Sequence, residues 1–239
     1  MHRAFYHEYP SRLHLETEVL ESLPGRVRLA ASPFFSGGGG QLPDRGAIRW
    51  SAGEATIAGF ETVGGAPWIL LADEAEITGR VEAVVDPGFR SMMTEMHTYT
   101  HILNACVYRG FDGALVTGVQ MNDDATARMD FDLPDADNEK LRALEGAINS
   151  AIEEDLRVSD SYVPLAAAQA EPGLIRTRSV APPPTADGMV RIVEIAGLAR
   201  PACGGTHLAS TRGDKRVRIV KIDNKGRHNR RVRFALVSE

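Results

Sequence analysis

His97-Thr98-Tyr99-Thr100-His101 and, far downstream, Cys203-Gly204-Gly205-Thr206-His207 are the two stretches around which the rest of this chain is read. Both repeat one spacing, ligand-x-x-x-ligand. The first lies in an apolar-periodic run, Met93, Met96, Thr100, Leu103 and Val107, whose three- and four-residue steps predict a helix. Residues four apart on a helix share a face, so His97 and His101 can aim their imidazoles at one point. The second stretch cannot be helical throughout, because Gly204-Gly205 disfavours helix. A tight Gly-Gly turn can nevertheless bring Cys203 and His207 to one centre. Three imidazoles and one thiolate are soft enough for Zn²⁺ and wrong for calcium or magnesium. Either spacing alone fits two half-buried histidines equally well. Beyond the first fifteen residues and the basic tail, however, the chain has only His97, His101, Cys106, Cys203 and His207, and four of these five fall into matched spacings.

The composition is that of a globular protein: 239 residues, 43% hydrophobic and 25% charged. That length suffices for one large domain or two smaller ones. No run is apolar enough to span a membrane, and Met1-His2-Arg3 does not open a signal peptide, so a cytoplasmic location without a membrane partner is expected. Two cysteines, one of them a candidate metal thiolate, leave no disulfide framework. The net charge of −5 is unevenly spread: Arg212 to Arg233 carries +8 and the remainder −13. An acidic body with one basic end points to a polyanion partner, nucleic acid being the commonest. A solvated hairpin is the alternative.

Working outward, residues 1–86 hold short β-like runs, Val27-Ala31, Ile48-Trp50, Ala55-Phe60, Trp68-Leu71 and Gly79-Val84, between Gly and Pro turns; a small β-barrel is expected. Its unusual segment is Ser36 to Gly46, where Gly37-Gly38-Gly39-Gly40 permits close backbone approach and can present N–H groups to an anion. Asp86-Pro87 supplies a helix cap and Gly110 a stop, placing the histidine helix within about 87–109 and a domain boundary at Asp86. Strands follow near Leu115-Met121 and Thr126-Phe131, then a helix over Asp137-Arg157 with Leu141, Leu144, Ile148, Ile152 and Leu156 on one face. After these come a strand at Val158-Val163, a short helix at Leu165-Ala170 stopped by Pro172-Gly173, an extended Pro182-Pro183-Pro184, and a strand at Met189-Ile195. Arg216-Ile222 and Arg231-Val237 form a terminal hairpin with Arg231 and Arg233 on one face. The fold class is therefore α+β: an N-terminal β-barrel domain over 1–86, followed by a two-layer α/β metal-binding domain over 87–239.

The two ligand motifs, the glycine-rich Phe34-to-Gly46 segment, and Arg128-Met129-Asp130-Phe131 with its following helix resemble the alanyl-tRNA synthetase editing domain and its free-standing homologues, the AlaX family, in the medium-length form. The likeness covers nearly the whole chain. It implies one Zn²⁺ per chain on His97, His101, Cys203 and His207, and hydrolysis of the ester of mischarged tRNA(Ala), chiefly Ser-tRNA(Ala) and also Gly-tRNA(Ala). It further implies Thr100 as a contributor to serine recognition. In many members a glutamine precedes the glycine of the strand after the histidine helix; here Val116-Thr117-Gly118 stands there, and Gln120, two residues on and on the same face, is the candidate substitute. The candidate catalytic set is thus Thr100, Cys203 and Gln120. The tRNA-facing set is Gly38, Gly39, Gly40, Asp44, Arg216, Arg218, Arg231 and Arg233. Monomer and homodimer are both compatible with the sequence.

Two other zinc chemistries are excluded by residue type. A zincin peptidase needs Glu where Thr98 stands, and a zinc deaminase needs H-x-E with P-C-x-x-C. Two rivals survive: an RNA-binding module whose zinc is structural, since four protein ligands close a tetrahedral site, and editing of a different aminoacyl-tRNA.

Overall fold

The computed structural model describes residues 3–134, 137–171, 173–175 and 184–238. The expected stop at Pro172 and the prolines 182 and 183 lie outside them. The chain forms two compact units. The first comprises Met1–Gly37 with Leu42–Met92, the second Gly38–Gln41 with Met93–Glu239.

The first unit begins with a single helical turn, α1 (Phe5–Glu8), and continues with six strands, β1 (His14–Leu23), β2 (Arg26–Leu29), β3 (Gly46–Trp50), β4 (Gly53–Val63), β5 (Ala66–Leu71) and β6 (Arg80–Val85). They close into a barrel in the order β1-β2-β5-β4-β3-β6, with every neighbouring pair antiparallel. Val27, Ile48, Ile77, Ala83 and Val85 fill its interior and are wholly buried. The strand that sequence reading omits is β1, whose HLETEVLESL carries three glutamates. Its alternation is real but polar, with Glu16 and Glu18 outward and Thr17 buried, so a hydrophobic pattern does not disclose it. Only its pairing with β2 and β6 makes it a strand and closes the barrel.

α2 (Pro87–Gly110) carries the first ligand motif. Asp86 caps it, its Oδ1 accepting the Phe89 N–H at 3.0 Å, and Pro87 occupies the first turn, where no N–H is required. From Met93 onward the helix belongs to the second unit and is buried all round: Met93, Met96, Tyr99, Ile102 and Leu103 are enclosed, and so are Glu95, His97, Thr98 and Thr100. A buried helix with that many polar side chains requires a hydrogen-bond partner for each.

The rest of the second unit contains β7 (Val116–Met121), β8 (Thr126–Asp132), α3 (Asn138–Glu153), β9 (Val158–Pro164), α4 (Leu165–Ala170), β10 (Met189–Ile195), β11 (Arg216–Lys225) and β12 (Asn229–Val237). The two expected hairpins join into one antiparallel sheet, β11-β12-β8-β7, because β12 pairs with β8. β9 and β10 make a separate two-stranded sheet. Asp137 caps α3, accepting the Glu139 N–H at 2.8 Å. The helix ends at Glu153 rather than Arg157, since Asp155 turns to φ 54° and the Leu156 N–H goes to Thr211 Oγ1. α3 also shields the edge strand β11: Asn149 bonds both the N–H and C=O of Val217, and Glu145 accepts from the Ile219 N–H.

Candidate metal centre

One helical turn separates His97 from His101, and their rings lie with centroids 5.1 Å apart. The turn after β10 brings Cys203 and His207 to the same point. The Nε2 atoms of His97, His101 and His207 lie 3.4, 3.3 and 3.2 Å from Cys203 Sγ. All four donor atoms fall within 4.8 Å of one another. Three imidazole nitrogens aimed at one sulfur cannot all share its single proton. The same arrangement can hold a metal ion. His97 and Cys203 are buried, while His101 and His207 are partly open, so the centre has one wet side.

The second ligand turn is fastened at several points. Arg191 of β10 donates to the carbonyls of Gly205 (2.9 Å) and Cys203 (3.3 Å) and pairs with Asp160 at 3.3 Å. Thr98, next to His97 in α2, accepts the Leu208 N–H at 3.0 Å and donates to the Thr94 carbonyl. Further along, Glu95 accepts from the Tyr99 hydroxyl and from the Lys215 N–H. Gly205 lies against the His97 ring so closely that a Cβ there would overlap ring atoms Cε1 and Nδ1.

Electrostatics set the protonation states. Burial, then His101 and the Arg191 guanidinium, hold the His97 imidazole neutral, well below its ordinary pKa. Burial pushes the Cys203 thiol up, against the Gly205 N–H and Arg191, which draw it down. A neutral imidazole is already the ligand form. The thiol becomes one only when a cation displaces its proton.

Residues 190–233, which include the Cys203–His207 turn and most of the β11–β12 hairpin, match the family model described as threonyl and alanyl tRNA synthetase second additional domain. An alanyl-tRNA editing protein AlaX-M of Methanosarcina mazei is 35% identical over 169 residues, covering 70% of this chain and 66% of that protein, just under two thirds of its length. The alanyl-tRNA editing protein AlaX-M of Saccharolobus solfataricus is 28% identical over 237 residues, 94% of this chain and 98% of the relative. The chain belongs to the AlaX family. An alanine–tRNA ligase of Cutibacterium acnes is 30% identical over 232 residues, which is 93% of this chain and 25% of the ligase.

Against that family background, the structure gathers His97, His101, Cys203 and His207 and disperses the other candidates. Thr100 is buried and donates to the His97 carbonyl at 2.7 Å. Gln120 is exposed, engaged by Arg128 at 3.0 Å and by Asn122. Gly38 and Gly39 have open space where a side chain would stand, whereas a Cβ on Gly40 would sit 2.7 Å from the Val119 carbonyl oxygen. Asp44 is completely enclosed and paired with Arg90. Of the basic residues, Arg218 is exposed and Arg216 lies 3.6 Å from Glu153. Arg231 is held by both oxygens of Asp130 at 2.6 and 2.8 Å, and Arg233 by Asp223 at 3.1 Å. Sequence reading missed Gln41 and Arg191, both in contact with the ligand turn. Gln41 was visible only as the residue ending the glycine run, and Arg191 carried no local signal. Among the described residues no helix is long and apolar enough to cross a membrane.

Proposed function

We propose that this AlaX protein is a zinc-dependent hydrolase that deacylates mischarged tRNA(Ala), chiefly Ser-tRNA(Ala) and also Gly-tRNA(Ala). The observation carrying this reading is the convergence of three Nε2 atoms and one Sγ at a half-open point of the unit. A tetrahedral zinc with bonds of about 2.0 Å to nitrogen and 2.3 Å to sulfur separates S from N by about 3.5 Å. The separations here, 3.2–3.4 Å, fall within a few tenths of that value. With one of the four ligands loosely held, or with coordination expanding beyond four, a zinc ion held there would supply Lewis-acid polarisation of the ester carbonyl. The chain's own residues supply the rest: Arg191 and Thr98 hold the ligand turn, and burial keeps His97 in its ligand form.

The chemistry of discrimination supports a mischarged alanine tRNA as the substrate. A pocket shaped for alanine rejects serine or glycine only weakly, whereas a site that hydrogen-bonds the serine hydroxyl leaves buried polar groups unpaired when alanine arrives. Thr100 supports this role, since its proton is committed to the His97 carbonyl and its oxygen remains an acceptor for a hydroxyl. The domains we propose along the chain are 1–86 and 87–239, although the compact unit that holds the metal ligands also takes in Gly38–Gln41 and begins again at Met93. The tRNA surface is assigned to Gly38 and Gly39, whose side of the turn is open, and to Arg216 and Arg218. Arg231 and Arg233 are held in place by Asp130 and Asp223, but each carboxylate also faces a second cation, Arg128 and Lys221, so both clusters keep a net positive charge and belong to the same surface.

The deciding experiment is deacylation of Ser-, Gly- and Ala-tRNA(Ala) with and without a chelator. Rapid serine loss, alanine spared and chelator sensitivity are expected. Zinc retained with no hydrolysis of any ester would favour an RNA-binding module with structural zinc, and hydrolysis of a different aminoacyl ester would redirect the specificity. The protonation states add a second expectation. Near pH 7 the Cys203 thiol is protonated and His97 is not, so zinc uptake releases about one proton per chain. Apparent affinity then weakens by about tenfold per unit of acidification below the thiol pKa. Calorimetry in buffers of different ionisation enthalpy measures it; no proton release would mean that Cys203 is not a ligand.

A further inference from the structure

Gly37 to Gly40 all adopt positive φ, between 60° and 128°. The turn closes on itself through the reciprocal bonds of Gly38 and Gln41, 3.1 and 3.0 Å, and docks on β7, where the Met121 N–H donates to the Gly40 carbonyl at 2.8 Å. Gly40 has no room for a side chain against Val119. The product of this geometry is the placement of Gln41, which is 3% exposed and lies in the same unit as the metal ligands.

The amide of Gln41 has a settled orientation. Its Oε1 lies 3.0 Å from the Thr206 N–H, and a backbone N–H can only donate, so that atom must be the carbonyl oxygen. Its Nε2 donates to Thr206 Oγ1 at 2.9 Å, and Thr206 Oγ1 in turn meets Thr94 Oγ1 at 2.8 Å. The same Oε1 lies 2.7 Å from His97 Nδ1. An acceptor held there requires a proton on Nδ1, which leaves the lone pair on Nε2, the atom facing Cys203.

We propose that Gln41 is a positioning residue of the metal centre: the glycine-rich turn exists to deliver its carbonyl oxygen to His97 Nδ1, fixing tautomer and ring orientation so that Nε2 is the ligand atom. One oxygen thereby ties a ligand on α2 to Thr206 of the other ligand turn and sets the two halves of the site in register. Metal-ligating histidines are commonly oriented in this way by a partner on the second ring nitrogen, and loss of that partner costs 10–100-fold in metal affinity.

The inference rests on the metal-centre reading, and the test separates the two. Zinc affinity is measured by competition with a chromogenic chelator for the native chain, Gln41→Met and Gln41→Glu, with thermal melts of the metal-stripped proteins beside it. Gln41→Met keeps the volume and loses the acceptor, so affinity falls 10–100-fold while the stripped chain still melts cooperatively. Gln41→Glu retains an acceptor for both donors, though it loses the N–H given to Thr206 Oγ1, and keeps affinity clearly above that of Gln41→Met. Native affinity in a folded Gln41→Met chain overturns the proposal, as does a Gln41→Glu chain as weak as Gln41→Met. If Gln41→Met does not fold, ¹H–¹⁵N long-range correlation on the stripped native chain decides: a proton on His97 Nδ1 supports the role and a proton on Nε2 overturns it. That spectrum reports on Gln41 even if the native chain binds no zinc, the outcome that would instead refute the metal reading.

Discussion

Gly205→Ala is expected to fold and to lose the metal centre. The Cβ would overlap His97 Cε1 and Nδ1 and stand 2.7 Å from Gln41 Oε1, so one methyl meets both the imidazole and the oxygen that orients it. The backbone at Gly205 is not in the left-handed region, so the cost comes from this close approach rather than from strain in φ. The turn cannot retreat, because the Arg191 guanidinium holds the Gly205 carbonyl and the Gln41 amide holds Thr206. The ring must move instead, and a displacement on the order of 1 Å takes Nε2 out of bonding range. On the proposed zinc reading, metal affinity should fall by about 10–100-fold, and ester hydrolysis with it. Metal content after dialysis against a competing chelator, with circular dichroism as the check on folding, measures this. A variant that keeps its zinc would show that the turn has slack the contacts do not reveal.

Asp44→Ala should have the largest effect on stability. Asp44 has no exposed side-chain surface and Arg90 only 5%. Both carboxylate oxygens engage the guanidinium, and one also accepts the Phe35 N–H at 2.6 Å. Arg90 completes its bonds on the Pro33 carbonyl. Alanine at 44 strands a buried cation, at a cost of about 3–5 kcal/mol. An exposed pair such as Arg49 with Glu54 on the barrel surface should contribute little. Urea unfolding of Asp44→Ala beside Glu54→Ala checks the contrast. A loss under about 1 kcal/mol at Asp44 would mean that the guanidinium finds another buried acceptor or reaches water. The enclosure also bears on role: an aspartate so committed anchors the glycine-rich segment from within the barrel unit and has no free oxygen for an incoming tRNA.

Much of the site was legible because its logic is local. His97 and His101 are one helical turn apart, Cys203 and His207 sit in a turn that glycine allows, and Asp86-Pro87 and Asp137 announce helix starts by cap chemistry. These are interactions within four residues. The strand β1 was not legible, because its inward positions include Thr17 and its outward ones are glutamates, and nothing short of its two barrel neighbours makes it β. The charge of the terminal hairpin could be counted from the sequence, but the partners that hold its arginines could not. β12 pairs with β8 in the register that sets Arg231 opposite Asp130, a carboxylate it shares with Arg128, and that register alone fixes where the guanidinium points.

By itself, then, the sequence determined which four side chains make up the candidate metal centre, the helix that presents two of them, and the alternating patterns of most strands, since periodicity and spacing are read over a few residues. Tertiary structure alone decided which distant residues meet those donors: Gln41 at His97 Nδ1, Arg191 on the carbonyls of the ligand turn, Thr98 at Leu208, Asp130 at Arg231. Those contacts depend on strand register and on how tightly glycine lets two backbones approach. Neither quantity is encoded in any short stretch of the chain.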